Sequence, residues 1–274
     1  MLELPEALAR ARELNNALTG KTIANVLPPA SPRKFCWFSA PVEEYVQRLK
    51  GHAFVRAEGF GIFTEMDFGE VFLCFNDGAS PRLLTPEEKR PANAQLTIEF
   101  TDGAALAFTV TMYGGMYLHD GNFDNEYYRA SRNRISPLSD AFTEEYLQTL
   151  IQTAKPSLSV KALLATEQRI PGLGNGVLQD ILLDVRVHPK RRASSLSSAE
   201  IAALHHSIRS VLAAMAESGG RDTERNLHGH PGGYPVKMGK RALSNGCPAC
   251  GGAVAKETYL GGAICFCPSC QPLS

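Results

Sequence analysis

QRIPGLGNGVLQDILLDVRVHPKRR, residues 168–192, is the stretch on which the reading of this chain turns. Pro171, Gly172 and Gly174 predict a tight loop, and GNGVLQDILLDV (174–185) has the apolar spacing of a helix that starts there. The first turn of a helix carries unpaired N–H groups and a partial positive charge, so it can hold a phosphate. Asn175 can add a side-chain N–H to the same anion. Lys161 and Arg169 precede the loop, and Lys190, Arg191 and Arg192 follow the helix. The plainer reading of the same residues is a packing loop between two helices.

Helical periodicity continues on both sides. TEEYLQTLIQTA (143–154) and SVKALLATEQ (159–168) lie before the loop, and SSAEIAALHHSIRSVLAAMAES (197–218) lies after it. Ser197 followed by Glu200 three residues on predicts a capping box for the last of these. ISPLSDAF (135–142) reads as a linker. Upstream of it the pattern changes. AFVRAEGFGIFTEM, EVFLCF, QLTIEF and LAFTVTMY are short strand-like runs, separated by turn signals at Asn76-Asp77-Gly78 and Asp102-Gly103. They predict an antiparallel β domain. A helix over residues 4–18, with Leu4, Leu8, Ala11, Leu14 and Leu18 on one face, is expected to pack on it.

The carboxy-terminal end is a different kind of sequence. Seven cysteines occur in the chain, and five of them fall between 247 and 270. Cys247-Pro-Ala-Cys250 and Cys267-Pro-Ser-Cys270 are separated by sixteen residues, the spacing of a structural zinc site with four thiolate ligands. Cys265 is a competing ligand with poorer spacing, and disulfides are the alternative use of the thiols. Between the pairs, AVAKETYLGGAICF predicts a hairpin turning at Leu260-Gly261-Gly262.

The whole chain has 274 residues, 28 Lys+Arg and 28 Asp+Glu. Neutrality conceals a division: residues 1–150 carry 14 basic and 20 acidic side chains, and residues 151–274 carry 14 and 8. A polyanion would therefore find most of its contacts in the second half. No apolar run approaches the roughly 20 residues of a membrane span. The first 20 residues contain Glu3, Glu6, Arg10, Arg12 and Glu13, which is unlike a signal peptide. A soluble cytoplasmic protein is expected.

With these pieces in order, the chain resembles the formamidopyrimidine-DNA glycosylase / endonuclease VIII (Fpg/Nei) family over nearly its whole length. The resemblance rests on LELPEA at the start, SPLSDAF at the linker, ALLATEQRIPGLGNGVLQDILL in the helical region and the CPAC…CPSC pair at the end. It implies an α+β multidomain fold. An amino-terminal antiparallel β-sandwich with one packed helix would span 1–137, a helix–two-turns–helix domain 138–226 and a zinc-ribbon finger 227–274. It further implies a monomer holding one structural zinc ion on Cys247, Cys250, Cys267 and Cys270. Double-stranded DNA, damaged or distorted, would bind across the cleft between the halves. Lys161, Gly172, Gly174 and Asn175 would contact phosphates, and Glu3 and Glu6 would serve the reaction.

The chain departs from that family where the chemistry is done. The family nucleophile is the amine of a proline at position 2, exposed by removal of Met1; here position 2 is Leu2, too large to favour that removal. The amine of Met1 is the remaining candidate, displaced by about 3.3–3.6 Å of chain. A family lysine in the β domain falls on Ile62 or Phe63, and the hairpin arginine on Ala263. The Arg-and-Phe wedge that fills the place of an extruded base falls on TMYGGMY (111–117), leaving Met112, Tyr113 and Met116 as candidates or as ordinary strand residues. Three readings follow. One is a divergent glycosylase with abasic-site lyase activity, using Met1 or a water activated by Glu3. The second is a catalytically silent DNA-binding protein. The third is a binder of structured RNA.

Overall fold

The first helix, α1 (Leu4–Leu18), decides how the rest is arranged, and a computed structural model describing residues 1–273 shows why. Pro5 starts it without the loss of a hydrogen bond, and the backbone N–H of Glu3 donates to the Glu6 carboxylate at 3.3 Å. One face puts Ala7, Ala11, Leu14 and Leu18 into the core of the β domain. The other sends Leu4, with Leu8 beside it, into the core of the helical domain. A single helix is thus shared by two hydrophobic cores. The fit to the sheet is close. Gly59, in β3 (Arg56–Phe60), lies directly beneath the Ala7 carbonyl, where a Cβ would collide with the α1 backbone. Gly59→Ala should cost about 1–3 kcal/mol by overpacking, read from denaturant unfolding, without altering the helical domain's own helix content.

The β domain follows from two long strands. β5 (Phe72–Leu84) and β7 (Ala105–His119) pair antiparallel along their lengths. At one end β4 (Phe63–Asp67) joins β5, with β3 outside it. At the other end β6 (Leu96–Phe100) joins β7, with β1 (Ile23–Leu27) outside it. The two ends form the layers of the expected sandwich, and Met66, Leu73 and Phe75 share one core with Ile98 and Phe108. β2 (Cys36–Phe38) adds to β7 in parallel.

Asp102-Gly103 is a tight turn, as its composition predicts, with Gly103 at φ +85°. Asn76-Asp77-Gly78 is not. It lies inside β5 at an irregularity of the β5–β7 ladder, where Gly78 alone stands opposite Thr111, Met112 and Tyr113 of β7, with Asp77 at φ +53° and Gly78 bare against the Thr111 carbonyl. The same residues that permit a reversal also permit a strand to continue past a bulge in its partner, and local sequence does not separate the two. Two further helices, α2 (Val42–Leu49) and α3 (Glu126–Asn133), fall in stretches whose periodicity is too short to announce them.

In the helical domain Thr143 caps α4 (Glu144–Thr153), Ser159 caps α5 (Val160–Ala165), and Ser197 with Glu200 forms the capping box of α7 (Ser198–Glu217). α5 ends earlier than its pattern suggests because Glu167 and Gln168 both adopt positive φ. α6 (Asn175–Asp184) starts at the glycine loop. After α8 (Lys240–Asn245), β8 (Ala255–Tyr259) and β9 (Gly262–Phe266) form the carboxy-terminal hairpin. Leu260 and Gly261, at φ +49° and +74°, make its two-residue turn. Among the described residues no helix is long and apolar enough to cross a membrane.

Candidate nucleic-acid interface

The glycine loop is where the amino-terminal segment meets the helical domain. Gly172 lies at φ +74°, and a side chain there would strike the Gly61 carbonyl and Leu4. Its own carbonyl accepts from Leu4 N at 2.9 Å. Gly174 leaves room for the Glu3 carboxyl group, and Gly176 for the guanidinium of Arg221. The packing-loop reading therefore accounts for these glycines. The unpaired N–H groups at the start of α6 already have an anion: those of Gly176 and Val177 each donate to the Glu3 carboxylate at 2.8 Å. The expectation that this terminus stands open for a phosphate is corrected here, because Glu3 takes the position that the helix dipole favours for negative charge.

Behind Glu3 lies a buried charge cluster. Arg221 donates to Glu6 from Nε at 2.9 Å and from Nη2 at 2.7 Å, and its Nη1 lies 3.6 Å from Glu3. The three residues are 2–3% exposed. Burial opposes the charge on Arg221, but attraction to Glu3 and Glu6 outweighs it and raises its pKa. Burial also pushes both carboxyl groups up. In Glu6 the paired guanidinium overcomes this and the pKa is lowered; in Glu3, farther from the arginine, burial prevails and the pKa is raised. Arg221 is a residue that sequence reasoning missed. Nothing near it in the chain marks it, since its partners lie 215 residues away.

A cleft of about 420 Å³ opens beside this cluster, with Met1, Glu6, Asp77, Met112, Tyr113 and Glu224 on its walls. The nitrogen of Leu2 is a peptide amide that donates to the Asp77 carbonyl at 2.7 Å, and the Leu2 side chain is buried. Met1 is half exposed, and its ammonium pairs with Glu224 at 2.7 Å. Burial raises the pKa of the Asp77 carboxyl group, against the lowering effect of that ammonium. Asp77 was also missed, its composition having been read as a turn. Of the candidate wedge residues, Met112 is 71% exposed at φ +64° and Tyr113 is partly exposed, whereas Met116 is fully buried in the sandwich core and is unavailable for that role. Ile62 and Phe63 are buried with Phe60 and Tyr128.

Lys161 and Asn175 converge on the carboxy-terminal hairpin. Lys161 is 2% exposed, and its ammonium donates to the Tyr259 carbonyl; burial lowers its pKa. The Asn175 amide donates to the Ala263 carbonyl, while its buried Oδ1 has no partner among the described residues. Gln179 Oε1 accepts from Cys265 N at 2.6 Å, and Gln271 Nε2 donates to the Val187 carbonyl at 2.9 Å, so the hairpin is fixed to α6 and the segment after it. Cys247, Cys250, Cys267 and Cys270 bring their sulfurs within 4.8 Å of one another, with Cys247–Cys270 at 3.9 Å and Cys250–Cys267 at 3.6 Å. Sulfurs bound tetrahedrally at 2.3 Å from one ion stand about 3.8 Å apart, so the donor set fits zinc. Cys265 sits apart on β9.

Comparison with known proteins agrees with this architecture. Residues 135–226 match the family described as the formamidopyrimidine-DNA glycosylase H2TH domain. The chain is 30% identical over 277 residues to the formamidopyrimidine-DNA glycosylase of Cytobacillus firmus, covering 99% of this chain and all of that one. It is 29% identical over 282 residues to that of Shouchella clausii, with 99% of each covered. Its fold matches Lactococcus lactis Fpg in complex with DNA containing an abasic site, at a TM-score of 0.84 and 22% identity over 98% of this chain and 99% of that one.

Proposed function

Because the chain belongs to the formamidopyrimidine-DNA glycosylase family, we propose that it is a DNA-repair protein that binds damaged or distorted duplex DNA across the cleft beside Met1, with its reaction altered at the nucleophile. The observation that carries this reading is the pairing of a complete family scaffold with a residue-2 nitrogen locked as an amide against Asp77. Among the described residues, the amine at the cleft mouth is that of Met1. As a primary amine it can attack the sugar C1′, expel the base and form a Schiff base, once freed from Glu224. Asp77 is the carboxyl group placed to exchange protons there. Glu3 supports the start of α6, and Glu6 holds Arg221. One zinc ion, when bound by the four cysteines, is structural: four thiolates leave no position for a water.

Lys161 and Asn175 take phosphate oxygens in place of the Tyr259 and Ala263 carbonyls they hold in the free protein, with Gly172 and Gly174 shaping the approach. Asn175→Ala and Lys161→Ala should each weaken duplex binding by about 1–2 kcal/mol. Lys161→Ala should also reduce the salt slope by about one unit.

The deciding experiment is borohydride trapping on DNA with an abasic site, run beside binding isotherms and an intact mass that reads the amino terminus. A covalent adduct on Met1 is expected. Tight lesion binding with no adduct would favour the second reading, a binder without lyase chemistry, for which the Met1–Glu224 ion pair is the supporting observation. Failure to prefer DNA over structured RNA would overturn both.

A further inference from the structure

The outer face of β7 and β2, next to the cleft, carries aromatic surface that the sandwich does not use. β2 runs parallel to β7, with Trp37 opposite Gly115, and this register turns Cys36 and Phe38 toward the core. Phe35 and Trp37 face the other way and are 53% and 45% exposed. Trp37 lies against Tyr113, ring centres 6.1 Å apart. Tyr113 and Met112 in turn line the cleft. Three of the largest exposed apolar side chains in the protein, Phe35, Trp37 and Met112, are thus gathered on one rim.

Solvent-exposed aromatic groups cost free energy unless something covers them, and the charge around these names the cover. Arg33 and Lys34 directly precede Phe35 in the chain. The Lys34 ammonium sits 5.5 Å from the Phe35 ring centre, and Arg33 is anchored to the Val110 carbonyl of β7 at 2.6 Å. Cations beside flat rings suit a strand that is both polyanionic and aromatic, because each base offers a π-face and each phosphate a charge. This rim lies in the otherwise acidic half of the chain, so its two adjoining cations are a local exception.

We infer that Trp37, flanked by Phe35 and Tyr113 and served by Arg33 and Lys34, is a stacking platform for an unpaired nucleobase at the edge of the cleft. The inference rests on the DNA-binding reading given above and adds to it a preference for DNA in which a base has lost its partner. The chain carries no arginine among the wedge candidates, and this platform provides a different way to hold an unpaired base: from the side, on indole, instead of from within the stack.

Trp37 is the single tryptophan of the protein, so its emission reports on this site alone. Emission should be measured while the intact protein is titrated with three labelled DNAs: a fully paired duplex, the same duplex with an abasic site opposite a base, and a duplex with a small bubble. Fluorescence anisotropy of the label gives the affinity independently. Quenching of Trp37 is expected with the second and third DNAs and little with the first. Trp37→Ala should weaken binding to the bubble on the order of tenfold, the range for one lost base–aromatic stack, and leave the paired duplex nearly unchanged. Trp37→Phe should keep most of the preference, which separates stacking from misfolding. Binding of all three DNAs with unchanged tryptophan emission, or equal losses on paired and bubble DNA in Trp37→Ala, would overturn the platform and leave the DNA-binding reading standing. Absence of binding to any of the DNAs would instead strike that reading. A concentration-dependent shift of Trp37 emission without DNA, with a larger species by gel filtration, would assign the face to self-association and also overturn the inference.

Discussion

Arg221→Ala is expected to lower the unfolding free energy by about 3–5 kcal/mol, the range for removing one partner of a buried ion pair. The side chain neutralises Glu6 and approaches Glu3, all three residues being buried, and it donates to the Met1 carbonyl at 3.2 Å. Removing it leaves two buried carboxyl groups close together without a counter-charge. A domain of this size has about 5–15 kcal/mol to lose, so the variant should be near its limit at 37 °C. The effect has a specific signature. Adding Glu6→Gln to Arg221→Ala removes one uncompensated charge and should recover part of the loss. Denaturant midpoints of the wild type and both variants check this. An Arg221→Ala protein as stable as the wild type would mean that the cluster is not the junction described above.

The second large effect concerns the cysteines. Substituting Cys267, which is fully buried, should abolish retention of one equivalent of zinc and unfold the hairpin of β8 and β9. The module's buried cluster is Leu183, Met238, Ala242 and three cysteines, too small to hold it without metal. Loss of the hairpin removes Tyr259 and Ala263 from Lys161 and Asn175 and undocks Gln179 and Gln271. DNA affinity should then fall on the order of tenfold or more, since Lys161 and Asn175 lose the hairpin that holds them in place for phosphate. Elemental analysis of the purified protein, and duplex binding before and after a strong chelator, test this. Cys265→Ala is the control: it lies outside the four-sulfur cluster and should retain the metal.

The parts of the fold that could be read in the sequence are those in which one local signal has one outcome. The helices of the second half are legible from their apolar spacing and, for the longest, from Ser197 and Glu200; in the structure Thr143, Ser159 and Ser197 each accept from the first turn. The paired cysteines were legible because a four-thiolate site is written in spacing alone. Asn76-Asp77-Gly78 predicts a turn yet continues as strand, because a turn and the strand facing a bulge accept the same residues. The glycine loop was ambiguous for a related reason. A helix start bare of side chains admits a phosphate and a neighbouring carboxylate equally, and only the path of residues 1–4 shows which one is there. Arg221 could not be found, since the need for it is created by folding and not by any neighbour in the chain.

The Glu3–Glu6–Arg221 cluster also bears on how the protein is made. Arg221 leaves the ribosome 218 positions after Glu3, on the order of ten to forty seconds at ordinary elongation rates. Leu227, which completes the sandwich core, emerges later still. Through that interval the nascent chain holds two acidic groups and an apolar gap awaiting partners that have not been translated. The amino-terminal lobe can therefore close only after the helical domain has been translated, and a premature stop before codon 221 would disable both lobes instead of one.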